Sequence, residues 1–190
     1  MRIVAGRHKG RRLAAPEGRD TRPTSDRVRE AVFNIIEHGL RWRGMEDARV
    51  ADIFCGTGAL GLEALSRGAA HAVLVDNNAK ALDAARRNVE ALDETTNVTL
   101  LRNDATQPMP RPRDPVDLAF LDPPYRSDDA RPALEALRDG GWLANDALVV
   151  VEQAEKARFD TPSGFQIIDE RRYGDTRVFF LRYRASGTDP

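Results

Sequence analysis

Ala51-Asp52-Ile53-Phe54-Cys55-Gly56-Thr57-Gly58-Ala59-Leu60-Gly61 is the stretch on which the fold turns. Its first residues finish an apolar, strand-like run that begins at Arg49, and its last residues open a helical run to Arg67 that Gly68 is placed to stop. Between them the glycines spell G-x-G-x-x-G. Such a strand-to-helix turn needs unusual dihedrals and lets backbone amides come close to a ligand. The same spacing serves dinucleotides, so the glycines alone do not choose the ligand, and a tight turn without one would also use them.

Outward from this turn, strand and helix signals alternate. Ala72 to Val75, Val98 to Leu101, Val116 to Leu121 and Leu148 to Val151 read as strands. Asn78 to Leu92 and Ala130 to Arg138 read as helices, the first with Leu82, Ala85, Val89 and Leu92 inward. Phe165 to Tyr173 and Arg177 to Arg184 read as a hairpin turning at Gly174-Asp175. Five βα-type elements closed by an antiparallel pair predict an α/β, doubly wound, mostly parallel sheet. Ahead of it, Ile3 to Leu13 predicts a short strand or hairpin and residues 14 to 23 a loop. A helix capped by Thr24 or Ser25 would follow and end near Gly39, burying Val28, Ala31, Val32, Ile35, Ile36 and Leu40. The expected organisation is a basic segment over residues 1–43, one catalytic domain over 44–184 and a flexible tail over 185–190.

The composition, 41% hydrophobic and 31% charged, is that of a globular chain. At 190 residues such a chain buries roughly 70% of its extended surface and needs no disulfide or metal to fold. No apolar run approaches the ~18 residues of a membrane span. The first residues lack a signal-peptide core, and the single cysteine suits a reducing compartment, so a cytoplasmic, monomeric protein is expected. The net charge of -1 hides a polarity: residues 1–43 carry +6 and the remaining 147 carry -7. Arginines dominate that front segment, and their forked donors suit phosphates, although a merely solvated surface would look similar.

Acidic residues follow successive strands. Asp52 precedes the glycines, where it would repel a pyrophosphate but could pair with the cationic amino group of S-adenosylmethionine. Asp76, 20 residues after Gly56, can take both ribose hydroxyls, and Asp104 can accept from the adenine amine or simply order its loop. Phe54, Gly56, Gly58, Gly61, Asn77 and Ala105 complete the candidate cofactor set. The fourth strand ends in Asp122-Pro123-Pro124-Tyr125, the most specific signal in the chain. The two prolines make a rigid turn without N–H groups and leave carbonyl acceptors beside the Asp122 carboxylate. A planar exocyclic amine, adenine N6 or guanine N2, offers two N–H donors. Asp122 and the Pro123 carbonyl would hold both and turn the nitrogen lone pair toward an electrophile, with Tyr125 stacked on the base. Asp122 is expected to orient the amine first and serve only weakly as a base.

Cys55 lies in the cofactor loop, not over a base, so a nucleophilic role is not expected of it. His8, His38 and His71 form no dyad or ligand spacing, His8 reads as a solvated side chain, and no metal is expected.

Met1-Arg-Ile-Val-Ala-Gly6, Gly10-Arg-Arg-Leu13, Arg22 to Glu30, Phe33-Asn34, Asp52 to Gly68 and Asp122 to Tyr125 together make the chain resemble a known family along nearly its whole length. It is similar to the RsmD-like bacterial 16S rRNA methyltransferases, which modify N2 of guanine 966. The resemblance implies a Rossmann-like class I methyltransferase with strand order 3-2-1-4-5-7-6, S-adenosylmethionine as donor, and 16S rRNA in the small subunit or a late assembly intermediate as partner. It also implies that Asp76 binds ribose, that Asp122 to Tyr125 are catalytic, and that Arg22 and Arg27 lie near the target or cofactor mouth. Arg7, Lys9, Arg11 and Arg12 would then hold phosphates beside the cleft, the first three on one face by alternation and Arg12 nearer the turn. The rival readings are an adenine N6 methyltransferase, a glutamine-amide methyltransferase, an NAD-dependent oxidoreductase and a non-catalytic RNA-binding assembly factor.

Overall fold

The strands most apolar in sequence form the centre of the sheet. In a computed structural model, whose described residues are 1–14, 26–124 and 128–185, the order is α1 (Asp26–Asn34), a π-helical turn (Ile35–Gly39), β1 (Arg49–Ile53), α2 (Ala59–Ser66), β2 (His71–Asp76), α3 (Ala79–Ala91) and β3 (Val98–Arg102). Then come β4 (Val116–Leu121), α4 (Ala130–Asp139), β5 (Leu143–Ala154), β6 (Phe165–Tyr173) and β7 (Thr176–Tyr183). The seven strands run β3-β2-β1-β4-β5-β7-β6; the first five are parallel, and β6 and β7 are antiparallel. β1 and β4, neighbours in register from Val50–Leu118 to Ile53–Leu121, are where the winding reverses. The carboxyl ends at such a reversal form the crevice in which open α/β sheets bind ligands.

Two apolar layers cover the sheet. One joins Val50, Leu74, Leu118, Phe120, Val150 and Phe180 to α1, α2 and α3, and the other joins Ile53, Val75, Leu121, Val149 and Val151 to α4. Ile3 and Leu13 belong to the first layer, so the residues before position 44 help to close the core.

Three expectations change. The buried stripe of the first helix is turned toward Arg29, Val32, Phe33 and Ile36, while Val28, Ala31, Ile35 and Leu40 are only half-buried. Phe33 packs on Phe120 at 5.3 Å with the Arg67 guanidinium 4.7 Å over its ring, and Arg29 is admitted because oxygens surround it. The helix also leaves α geometry at Asn34, five residues before Gly39. β5 has twelve residues because its register with β4 shifts between Val116 and Leu118, which leaves a polar bulge around Asn145 and Asp146, the latter at φ 63°. The expected loop over 14–23, apart from Ala14, and the Thr24 or Ser25 cap lie outside the described residues, as does the tail after 185. Among the described residues no helix is long and apolar enough to cross a membrane.

Candidate active site at the carboxyl ends of β1, β2 and β4

Phe54 and Gly56 turn the chain out of β1 at positive φ, 61° and 55°. The glycines differ in purpose. A Cβ on Gly61 would stand 2.4 Å from Leu74, so this glycine lets α2 lie against the sheet, whereas a Cβ on Gly56 would meet nothing within 4 Å. The open face of the loop is therefore at Gly56. Asp76, at the end of β2, accepts the Gly56 N–H at 2.9 Å through Oδ2 and the Asn78 N–H at 2.8 Å through Oδ1. This fixes its carboxylate beside the open glycine. Asn77 is exposed, and Asn78 caps α3 by accepting from Lys80 N–H at 3.0 Å.

Asp52 is 1% exposed and accepts the Gly61 N–H at 2.9 Å at the start of α2, where the helix dipole favours an anion. Burial nevertheless dominates and, with Asp76 nearby, pushes its carboxyl up to about 7. Cys55 is buried in the same turn. Desolvation and the two aspartates drive its thiol well up, the opposite of what a nucleophile needs.

The loop after β3 adjoins this site, since the Asn103 N–H donates to the Asp76 carbonyl at 3.2 Å. Asp104 is exposed there. One of its oxygens takes the Thr106 hydroxyl at 2.7 Å and amide at 3.0 Å, bonds that hold its carboxyl below the usual range, while Ala105 is buried beneath. On the other side of β1, Asp122 N–H leans toward the Ile53 carbonyl at 3.4 Å; Asp122 is half-buried, Pro123 buried and Pro124 exposed. Tyr125 and Arg22 lie outside the described residues. Asp52, Gly56, Asp76 and Asp122 thus meet at neighbouring strand ends.

The basic hairpin is placed differently from expectation. Arg2 bridges Arg12, Ile3 N–H donates to the Arg11 carbonyl at 2.9 Å, and the turn spans residues 5–10. Arg12 thus lies in the ladder, and Arg7 and Lys9 in the turn. The open end of the hairpin sits near the glycine loop: Asn88 binds Ala14 through both its amide groups and also donates to the Thr57 carbonyl. The turn lies at the far end of α2, about 12 Å away along eight helical residues. There Arg7 N–H donates to the Ser66 carbonyl, and Gly6 is pressed so closely that a Cβ would fall 1.8 Å from it. Arg7 and His8 both bind the buried Glu94 carboxylate, at 2.6 and 2.5 Å, so His8 is a structural partner instead of a solvated one. Arg11 donates to the Ala91 carbonyl. Lys9, Arg12 and Arg27 stand exposed.

The residues that sequence reasoning missed are the buried polar anchors Arg29, Glu63, Asn88 and Glu94. The only signal for Glu63 is an acid set between Leu62 and Leu65 on the inward face of a short helix. Cavity size does not mark the site either. Openings of about 270 Å3, by Arg49, His71 and Trp142, and about 390 Å3, by Trp42, Arg43 and Asp117, lie at the opposite, amino ends of the strands. No group of three or more metal-ligating side chains occurs among the described residues.

Known proteins share this sequence pattern and fold. The family described as Conserved hypothetical protein 95 matches residues 1–182. The ribosomal RNA small subunit methyltransferase D of Escherichia coli K12 is 33% identical over 188 residues, 98% of this chain and 92% of its own. That of Haemophilus influenzae is 30% identical over 179 residues, covering 92% and 89%. The solved structure of Escherichia coli yhhF superposes with a TM-score of 0.83 at 31% identity, covering 98% and 99% of the two chains. Sequence match and fold agree from end to end, and the chain belongs to the Conserved hypothetical protein 95 family, that of the small-subunit rRNA methyltransferase D proteins.

Proposed function

We propose that this protein transfers a methyl group from S-adenosylmethionine to the exocyclic N2 of one guanine in small-subunit 16S rRNA. The observation that carries the reading is the placement of Asp122 and Pro123 one strand from the open Gly56 loop, with Asp76 fixed beside it. The donor would supply a sulfonium-bound methyl; as the oriented N2 lone pair forms the N–C bond the S–C bond breaks, a neutral thioether leaves, and one N2 proton passes to solvent. The residues present fit such a group: Asp76 would take the ribose hydroxyls, the open side of Gly56 would admit the chain of the donor, and Asp104 with Ala105 would hold the adenine. Phe54 and Asn77 border the same space. On the substrate side, Asp122 and the Pro123 carbonyl hold the two amine hydrogens, and Tyr125 stacks on the base. Binding a single extruded base suits a cleft at strand ends. Of the described residues, Arg12 and Arg27 are the arginines for the phosphates near this mouth, with Lys9 reaching RNA farther along. Arg7 and Arg11 do so only with what their Glu94 and Ala91 bonds leave over. The substrate would be the assembled subunit or a late intermediate, met by a cytoplasmic monomer.

Labelled methyl donor, small subunits from a strain lacking the gene, and mapping of the product test the reading. N2-methylguanosine at one position is expected; methyl on adenine N6, or none, overturns it.

Asp52 adds a pH signature. Its raised carboxyl stabilises the unliganded fold fully below pH 3.8, and that contribution is lost as pH rises through about 7. A cationic amino group beside it reverses the shift. Donor binding at pH 6 should therefore release about half to one proton. Calorimetry in buffers of different ionisation enthalpy reads this release. The same heat in all buffers, or unchanged release in Asp52→Asn, would remove Asp52 from the donor site.

A further inference from the structure

The opening beside Trp42, at the amino ends of the strands, has no part in the proposed methyl transfer. It encloses about 390 Å3, within the ~300–1,000 Å3 of ligand sites. One wall is Arg41-Trp42-Arg43, the chain that leaves the first helix through the extended Leu40. The other wall is the bulge of β5 at Asn145 and Asp146. Bulges of this kind re-aim side chains beside sites. Arg182 of β7 spans the two walls: it donates to the Arg41 carbonyl at 2.6 Å and stands 4.0 Å from Asp146.

The opening stays cationic once its ion pairs are counted. Asp117 is occupied, since one of its oxygens takes both the Arg43 guanidinium at 2.6 Å and the Arg49 N–H at 2.9 Å. Asp146 meets Arg182 at 4.0 Å and Arg184 at 3.7 Å, beyond hydrogen-bond reach, so both guanidiniums keep donors for another acceptor. Arg41 is exposed, and its side chain makes no hydrogen bond or ion pair among the described residues. Four guanidiniums thus face two carboxylates. Trp42, half-buried and packed against the core, lines the same space. Forked cations beside an indole suit single-stranded RNA, whose phosphates take the guanidiniums while a base stacks on the ring. An acidic peptide would use the cations and leave the indole idle.

We propose that this opening is a second RNA contact, holding one unpaired nucleotide of the rRNA on Trp42 with its flanking phosphates on Arg41 and Arg182. The six residues of β4 separate it from Asp122 by about 20 Å. The first helix marks the route between the two: Arg27 stands exposed in its first turn, where Asp26 holds Arg2 of the hairpin, and Arg41 follows its end. A chain with little length beyond its catalytic fold then selects its target by the spacing of two unpaired nucleotides, a recognition of shape. The inference rests on the rRNA part of the reading above and not on which base is methylated.

The chain has two tryptophans and Trp142 is 1% exposed, so fluorescence quenching by RNA reports on Trp42. Hexaadenylate should quench the wild-type protein, less so as salt rises, and should bind Arg41→Ala at least about fivefold more weakly. With small subunits from a strain lacking the gene, Arg41→Ala should raise KM about fivefold. The slope of log affinity against log salt should fall by roughly 0.7–1, with kcat and donor affinity within about twofold of wild type. Arg41→Lys should restore the slope. An unchanged KM and salt slope, or quenching that Arg41→Ala leaves as it was, overturns the proposal. A raised KM with no quenching by hexaadenylate or by subunits assigns the opening to an acidic segment of a ribosomal protein and overturns the RNA contact. If both effects stand while N2-methylguanosine is absent from the mapped product, the guanine reading fails and this one does not.

Discussion

Asp122→Ala is expected to slow methyl transfer by about 10²- to 10³-fold while changing donor affinity less than threefold. The asymmetry follows from position. Asp122 follows β4, whereas the groups proposed to face the donor, Gly56 and Asp76, belong to the β1 turn and the β2 end and are fastened to each other by the 2.9 Å bond. Removing the Asp122 carboxylate leaves that pair intact and, on the proposed reading, takes away one of two acceptors for the amine. The nitrogen lone pair then stays delocalised into the ring. Asp122→Asn should recover part of the loss, since its carbonyl still accepts while its NH2 meets the amine hydrogens. Single-turnover rates on small subunits, with donor binding measured on the same preparations, check this. Equal losses in rate and in donor affinity would move Asp122 from the substrate side of the site to the cofactor side.

How much of this was legible in the chain depends on how local the governing physics is. The central strands were, because burial on both faces leaves unbroken apolar runs such as Val116 to Leu121. The first half of β5 was not: Ala144-Asn145-Asp146 faces outward on a bulge, so its polarity reads as loop. The direction of the first helix was also hidden. Arg29 breaks the apolar stripe in sequence and is buried only because Asp26, the Arg2 carbonyl and Glu63 converge on it from 3, 27 and 34 residues away.

That the candidate acids would gather at one edge of the sheet was legible for a similar reason. Asp52 and Asp76 lie at the carboxyl ends of β1 and β2, and Asp104 and Asp122 come just after β3 and β4; a doubly wound sheet brings such strand ends to one edge. The hairpin shows the limit. Its charge was visible, but nothing in Arg7, His8 or Arg11 announces that Glu94 and the end of α3 will claim them. Where a short arm lies is decided by nonlocal acceptors, and charge counting does not see those. Once placed, the arm carries Arg7 and Lys9 to the far end of α2, away from the strand-end cleft.

The anchor of that arm should carry the largest stability effect in the molecule. Glu63 is fully buried. Its carboxylate accepts the Val4 N–H at 2.7 Å, the Ala5 N–H at 3.0 Å and Arg67 Nε at 2.8 Å, with Arg29 at 3.7 Å. Glu63→Ala leaves two buried guanidiniums short of an anion and two amides without acceptors. Stranding a buried charge costs about 3–5 kcal/mol, which in a chain of this size lowers Tm by about 10 °C. Glu63→Gln, which keeps an acceptor but not the charge, should lose less. Hydrogen exchange locates the damage: the Val4 and Ala5 amides should lose protection before those of β1 and β4. A Tm within about 2 °C of wild type, with those two amides still protected, would show that the arm is held by Ser66, Asn88 and Glu94 without Glu63. The consequence extends to the site. Arg29, which reaches from Glu63 to the Arg2 carbonyl beside the pairing with Arg12, is kept in place by this carboxylate. Glu63→Ala should therefore also raise KM for the small subunit while leaving donor affinity as it was.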